Sequence, residues 1–107
     1  MRPVRTLRNM ADVIVRCCAP EQILLFGSYA KEQNNRYSDL DILVVGDFQE
    51  PFHLRGGEVR QLLRQRYPIR VDLHFLTPEE VAAEANKPHG FVHSIFESGM
   101  VIYRKTE

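Results

Sequence analysis

The chain has 107 residues, of which 44% are hydrophobic, and its 14 Lys and Arg side chains balance its 14 Asp and Glu side chains. This is the length of one ordinary domain, so we expect a single domain over residues 1–107, with too little chain for a separate substrate-binding domain. The balanced charge predicts no general attraction to nucleic acid or to an anionic membrane, and a polyphosphate partner would need a local binding site.

The cysteines and the N-terminus indicate the cell compartment. Cys17 and Cys18 are adjacent in an apolar segment, where they cannot join distant parts of a secreted scaffold. We predict that both are small buried hydrophobic side chains. No signal-peptide core follows the basic N-terminus, since Asp12 and Arg16 interrupt it. No apolar run approaches the ~18 residues that a membrane span needs. The expected location is therefore the cytoplasm.

Hydrophobic periodicity predicts the elements of the first half of the chain. Residues 4–18 place apolar side chains on one stripe at helical spacing. Residues 22–26 form a short continuous apolar run, which suits a strand covered on both faces. Gly27–Ser28 turns the chain, and residues 29–33 have room for one or two helical turns. Residues 39–45 form the second predicted strand.

The second half continues this alternation of helices and strands. Residues 58–67 form an amphipathic helix, and residues 69–76 alternate apolar and polar side chains as a third strand. A capping box with proline at the first helical position starts a helix over residues 77–85. Residues 91–97 form a short last helix, and residues 100–103 a final strand that can lie at a sheet edge. The predicted fold is α/β (α+β), a small mixed sheet of about four strands with helices packed on it.

Three aspartates fall on two of the predicted strands. Residues two apart in a strand face the same way, so Asp39 and Asp41 share a face of the second strand. Asp72 lies on the polar face of the third strand and joins them if the two strands are neighbours. Like charges this close repel by ~1 to ~4 kcal/mol per contact, which a bound cation would relieve. Three oxygen ligands without cysteine predict a Mg²⁺ or Mn²⁺ site of the kind used in phosphoryl displacement.

A glycine turn precedes these carboxylates. Gly27 lets the backbone approach a phosphate closely, and Ser28 offers a hydroxyl and a backbone N–H at the start of a predicted short helix. Lys31 and Arg36 are either within reach of a triphosphate or solvated surface residues. The segment is not a Walker A loop, because no glycine-rich run precedes a Gly-Lys-Ser/Thr triplet. We predict nucleotide binding by Gly27, Ser28 and Lys31.

These residues carry a resemblance to a known family. Gly27–Ser28, ten intervening residues and then Asp39 and Asp41 resemble the signature of the minimal nucleotidyltransferase domains of the DNA polymerase β superfamily. Residues 70–73 are similar to the strand that carries the third carboxylate of that family, and the resemblance runs across nearly the whole chain. One departure is Glu32, where many members have glycine; this acid either alters phosphate affinity or points to solvent.

The resemblance implies roles for the residues named above. Asp39 and Asp41 would bind two metal ions, Asp72 would complete the site and help to activate the acceptor hydroxyl, and Gly27 and Ser28 would hold the β and γ phosphates of ATP. Short chains of this kind resemble the antitoxins of toxin–antitoxin pairs, in which the antitoxin transfers AMP from ATP to a tyrosine of an all-helical HEPN-type toxin. The implied activity is that of a Mg²⁺-dependent protein adenylyltransferase with such a toxin as its partner.

Two other functions stay open on the sequence. Nucleotidyl transfer to a small molecule, such as an aminoglycoside, would need a homodimer to complete the site of so short a chain. A binding-only antitoxin would neutralise its partner by contact and leave the carboxylates unused. The sequence fixes neither the base preference nor the oligomeric state, and the acceptor is expected to come largely from outside the chain.

For two further groups of polar side chains the structural interpretation is favoured. His74 shares a strand face with Asp72 and could hydrogen-bond to it or to substrate, but a role without function is favoured. Arg60, Arg64 and Arg66 are predicted to form a solvated helix face.

Overall fold

A computed structural model describes residues 3–27, 40–68 and 70–106 of the chain. The helices are α1 (Pro3–Cys18), α2 (Gly57–Arg66), α3 (Pro78–Ala85) and α4 (Phe91–Ser98), and a short 3-10 helix covers Phe52–Leu54. The strands are β1 (Gln22–Phe26), β2 (Leu40–Val45), β3 (Val71–Leu76) and β4 (Met100–Arg104). The predicted helices and strands within the described residues are confirmed, with bounds that move by one or two residues. The predicted helical turns at residues 29–33 lie outside the described residues.

The four strands form one mixed sheet in the order β3-β2-β1-β4. Strand β1 is antiparallel to both β2 and β4, whereas β2 and β3 are parallel. The parallel pair requires a crossover, and α2 supplies it. The predicted α+β fold with a small mixed sheet is confirmed, and β4 lies at a sheet edge as the sequence indicated.

Helices cover both faces of this sheet. Alternate side chains of β2 point to opposite faces. Ile42 and Val44 pack in one apolar cluster with residues of α1 and α2, and Leu43 and Val45 pack in another with Ile95 of α4. Asp41 has the same alternation as Leu43, so its carboxylate lies on the face that α3 and α4 cover. No helix in the part of the chain that the structure describes is long and apolar enough to cross a lipid bilayer.

The two cysteines correct one prediction. Cys17 is exposed and lines a cleft of about 590 Å³ beside Glu50 and Glu58. The prediction that both cysteines are buried is therefore wrong for Cys17. Cys18 is partly buried, and the removal of its thiol from water, together with nearby Cys17 and the two glutamates, raises its pKa to about 11.

The predicted capping box starts α3. The Thr77 hydroxyl accepts a hydrogen bond from the backbone N–H of Glu80 at 3.1 Å, and the Glu80 carboxylate accepts one from the backbone N–H of Thr77 at 2.8 Å. Pro78 occupies the first helical position, where its missing N–H costs no hydrogen bond. These contacts fix the point at which the chain leaves β3 and turns back over the sheet.

A buried arginine, which the sequence did not indicate, ties the loop before α2 to α3. The side chain of Arg55 is 7% exposed and forms an ion pair with Glu80 at 2.7 Å. It also donates hydrogen bonds to the carbonyl oxygens of Glu50 and Phe75, at 3.1 and 3.0 Å. Hydrogen bonds from Arg55 and from the Thr77 backbone lower the pKa of Glu80 below its ordinary value of 4.5. The ion pair and these two hydrogen bonds offset the cost of burying the charge of this guanidinium.

Two arginines cover the free edge of β3. As an edge strand, β3 leaves some backbone carbonyls without a strand partner. Arg55 donates to the Phe75 carbonyl, and Arg60 donates to the Leu73 carbonyl at 3.0 Å. The Arg60 guanidinium also lies 5.0 Å from the centroid of the Phe75 ring. The prediction of a purely solvated arginine face is therefore wrong for Arg60, because its guanidinium donates a hydrogen bond to a backbone carbonyl at the edge of the sheet.

The ion pair between Arg55 and Glu80 generates a prediction about pH. Because the pKa of Glu80 is lower in the folded than in the unfolded chain, its stabilisation is complete above the ordinary value of 4.5 and is lost as pH falls through the folded value. Glu80→Gln keeps a capping side chain but removes the charge. We expect this variant to lose about 1 kcal/mol at pH 7, a value reduced for the solvent exposure of the carboxylate. Urea unfolding should show that the difference in stability between wild type and this variant shrinks as pH falls below 4.5.

Glu79→Gln is the matched control, since Glu79 is an exposed acid in the same first turn of α3. It removes the same favourable interaction with the helix dipole without touching the ion pair. A loss of stability in Glu80→Gln that equals that of the control at pH 7, or that does not shrink as pH falls below 4.5, contradicts a stabilising role for this pair.

Candidate active site

Two of the three predicted carboxylates meet at the sheet. In the parallel ladder of β2 and β3, Asp41 pairs directly with Asp72, one residue after the first pair, Leu40 with Val71. Paired residues on adjacent strands share a face and lie about 4.8 Å apart along the hydrogen-bonding direction. Both side chains are partly exposed. The predicted adjacency of these strands and the shared face of Asp41 and Asp72 are confirmed, whereas their catalytic role stays a prediction.

The electrostatics of this pair favour a cation. Two carboxylates at about 5 Å repel each other by about 1 to 3 kcal/mol, depending on the effective dielectric. Arg70 relieves part of this repulsion, since its Nε lies 3.6 Å from Asp72 Oδ1. The Arg70 side chain is 73% exposed, so water and salt screen this ion pair strongly. A divalent cation bound by both carboxylates would relieve this repulsion.

Gly27 lies directly against the Asp41 carboxylate. Its φ is +80°, a left-handed conformation that favours glycine, and an added Cβ would lie 2.5 Å from Asp41 Oδ2. The predicted reason for glycine was close approach to a phosphate. The structure adds a second reason, because any side chain here would displace a carboxylate of the candidate site. The turn after β1 thus begins beside the carboxylate of β2.

Three predicted site residues, Ser28, Lys31 and Asp39, lie outside the described residues, as does Arg36. Within residues 3–27, 40–68 and 70–106, no group of three or more Asp, Glu, His or Cys side chains is arranged to hold a metal ion. Asp41 and Asp72 nonetheless fit a hard cation, since both donors are carboxylate oxygens and water and phosphate oxygens usually complete such a shell. Asp39 stays the predicted third ligand because of its position two residues before Asp41 in the sequence.

Three rings pack together next to the carboxylates. The ring centroids of Phe26, His74 and Phe91 lie 5.4 to 5.5 Å apart in all three pairs. Phe26 pairs with Asp41 in the antiparallel ladder, and His74 follows Asp72 on the same face of β3. The His74 ring therefore packs against both phenylalanine rings. We call these three side chains the ring cluster.

The ring cluster and the carboxylates line a cleft of about 490 Å³. Its other walls are residues of β3 and two arginines of α2, Arg60 and Arg64. Sequence reasoning missed Phe26, Phe91 and these arginines as residues near the site. The position of Phe26, directly before Gly27, was an available signal. Phe91 had none, because it reaches the cleft only through the packing of α4 on the sheet.

Comparison with known proteins matches a family model to most of the chain. The model of a nucleotidyltransferase domain matches residues 11–101. The matched range includes Gly27, Asp41 and Asp72. The protein named "Putative protein adenylyltransferase MJ1217", from Methanocaldococcus jannaschii, is 35% identical over 68 residues, which cover 63% of this chain and 67% of that protein.

Solved structures share the fold. A crystal structure of a "putative nucleotidyltransferase" from Sulfolobus solfataricus superposes with a TM-score of 0.60 at 17% identity, over 95% of this chain and 80% of that chain. The crystal structure of a toxin–antitoxin with AMP-PNP superposes with a TM-score of 0.62 at 22% identity, over 92% of this chain and 74% of that chain. At these identities the superpositions establish the shared fold.

The contact between Gly27 and Asp41 generates a prediction. Gly27→Ala places a methyl group against Asp41 Oδ2 and strains a left-handed backbone, so we expect about 1 to 2 kcal/mol of lost stability. A carboxylate displaced by about 1 Å reduces catalysis by about 10²-fold. The measurements are thermal unfolding and the rate of nucleotide transfer.

Gly57→Ala is the control, because an added Cβ there meets nothing within 4 Å. This variant should keep its rate and be at least as stable as wild type, since alanine favours a helix more than glycine does. Equal rates for Gly27→Ala and Gly57→Ala would show that the Asp41 carboxylate does not need the space that Gly27 leaves.

Proposed function

This chain belongs to the nucleotidyltransferase domain family, and on that premise we propose that it transfers AMP from ATP to a hydroxyl group of a partner protein. The observation that carries the proposal is the pairing of Asp41 with Asp72 beside Gly27. This arrangement brings two carboxylates beside the glycine that follows β1. The relative named as a protein adenylyltransferase supports AMP as the group that is transferred and a protein as the acceptor.

Asp41 and Asp72, with Asp39 as the third ligand, would hold divalent cations, Mg²⁺ or Mn²⁺. When bound, such ions neutralise phosphate charge and orient the reacting oxygens. The chain's own contribution is to fix the carboxylates, and the parallel ladder does this for Asp41 and Asp72. Gly27, which has no side chain, leaves the room that the Asp41 carboxylate occupies. The backbone of Gly27 and Ser28 and the ammonium group of Lys31 would bind the β and γ phosphates of ATP.

The transfer forms one bond and breaks one bond. The acceptor hydroxyl oxygen bonds to the α-phosphorus of ATP, and the bond from that phosphorus to the bridging oxygen of pyrophosphate breaks. The hydroxyl proton passes to the carboxylate of Asp72, which lies on the edge strand β3, whereas Asp41 lies on the inner strand β2. The products are pyrophosphate and the partner protein with AMP on its hydroxyl group.

The partner in this proposal is a toxin of the HEPN type, modified on a tyrosine. The shared fold with a toxin–antitoxin crystallised with AMP-PNP supports a toxin as partner and an adenine nucleotide as substrate. We propose that residues 1–107 act as one cytoplasmic domain, so that the partner completes the site. Transfer to a small molecule and neutralisation by binding alone remain as outcomes of the experiment below.

The test is transfer of label from [α-³²P]ATP, with Mg²⁺, to the protein encoded by the gene next to this one. The wild-type chain should label that protein on tyrosine. Asp41→Asn and Asp72→Asn keep the size of each side chain but remove a cation ligand, so each should lower the rate by at least about 10²-fold. Asp47→Asn is the control, because Asp47 is an exposed aspartate just beyond the opposite end of β2. It should label at the wild-type rate.

Three results would argue against the proposal. Label that stays on the partner at an undiminished rate in the Asp41→Asn/Asp72→Asn double variant contradicts the assigned site. Neutralisation of the partner by that double variant, without label, favours the binding-only antitoxin. Label on an added aminoglycoside but not on the protein favours a small-molecule acceptor.

A further inference from the structure

The cleft beside Asp72 wraps around an edge of the sheet. Four consecutive residues of β3, numbered 71–74, line it. Consecutive strand residues point to opposite faces, so a cleft that touches all four must pass around the strand's free edge. It extends from the ring cluster on one face to Arg60 and Arg64 of α2 on the other side of that edge.

The position of this cleft, beside Asp72 on β3, suits the binding of the acceptor hydroxyl group. In phosphoryl transfer the attacking and leaving oxygens lie roughly in line, on opposite sides of the phosphorus. Under the proposed function, the leaving pyrophosphate lies toward Gly27, which follows β1. Asp72 is on β3, and β2 with Asp41 separates the two strands. The acceptor oxygen must then approach from the β3 side, where the cleft opens.

We propose that this cleft is the entrance for the acceptor segment of the partner protein, with Phe91 and Arg64 positioning that segment from its two sides. The inference rests on the proposed function and names the surface that the partner occupies. Neither residue takes part in the chemical step.

Phe91 provides an apolar contact that is already rigid. Its side chain is 54% exposed, although it packs edge-on against Phe26 with ring centroids 5.4 Å apart. A ring held in this way loses little conformational freedom when a partner covers it. Exposed aromatic side chains of this kind often contribute a large share of the binding energy at protein interfaces. The ring therefore suits the apolar part of an acceptor side chain such as tyrosine.

Arg64 provides the polar contact on the other side. It lies one helical turn after Arg60, whose guanidinium is held by the Leu73 carbonyl and the Phe75 ring. Arg64 is exposed and makes no hydrogen bond or ion pair with the described residues. Its guanidinium is thus available to donate hydrogen bonds to backbone carbonyls or carboxylates of the entering segment. Because Arg60 already donates a hydrogen bond to the edge strand β3, Arg64 is the better residue with which to test acceptor binding.

The test separates acceptor binding from nucleotide binding. Steady-state labelling from [α-³²P]ATP, with the protein encoded by the neighbouring gene as acceptor, should show that Phe91→Ala and Arg64→Ala each raise the KM for the acceptor about 5- to 20-fold. The KM for ATP and the Kd for AMP-PNP with Mn²⁺ should stay within about twofold of wild type. A photoreactive phenylalanine at position 91 should crosslink to the acceptor protein.

Phe96→Ala and Arg66→Ala are the matched controls, since both residues are exposed, lie on the same two helices and are not among the residues that line this cleft. Their KM for the acceptor should equal that of wild type. A rise in the KM for ATP with an unchanged KM for the acceptor would overturn the inference and make the cleft a nucleoside site. If the wild-type chain labels no protein, the proposed function fails and this inference fails with it. If labelling needs Asp41 but not Phe91 or Arg64, only the inference fails.

Discussion

The parallel pairing of β2 with β3 is the constraint on which the candidate site depends. It sets Asp41 opposite Asp72 in register, and a slip of one residue would move one carboxylate to the other face of the sheet. Burial of Leu73 and Phe75 in the core, on the face of β3 opposite to Asp72, fixes this register. The apolar core therefore holds two carboxylates close together, and a bound cation would relieve the repulsion between them.

Strand β1 also contributes to the site and runs antiparallel to β2. Its direction determines which residues lie on each side of Asp41. Because β1 is antiparallel to β2, its C-terminal end arrives where β2 begins, and Phe26 pairs with Asp41. Gly27 follows at once and lies against the Asp41 carboxylate. The end of β1 and the starts of β2 and β3 thus share one end of the sheet. Gly27 lies on one side of Asp41, and Asp72 lies on the other side. This separation suits a leaving group on the side of Gly27 and an entering acceptor on the side of Asp72.

The sequence predicted the parts of the fold that local patterns determine. The apolar run of residues 22–26, the alternation around Asp72 and the Thr77 capping box each have a signal within a few residues. Asp72 could be placed in the site because strand alternation fixes its face once β2 and β3 are neighbours. Arg55 and Phe91 could not be placed, because their roles depend on contacts with residues far away in the chain: Arg55 with Phe75 and Glu80, and Phe91 with Phe26. Cys17 was misplaced because its burial was inferred from the usual preference of cysteine for the interior, although it lies off the apolar stripe of its helix.

The central claim is that Asp41 and Asp72 together hold a divalent cation that carries the nucleotide. Thermal unfolding of the isolated chain with Mn²⁺ and AMP-PNP tests it without any acceptor. A ligand at one hundred times its Kd stabilises a folded chain by about 2.7 kcal/mol, which corresponds to a rise in Tm of at least several degrees. The account predicts this rise for the wild-type chain when both Mn²⁺ and AMP-PNP are present, and its loss in Asp41→Asn and in Asp72→Asn. The same rise in an Asp41→Asn/Asp72→Asn double variant would contradict it.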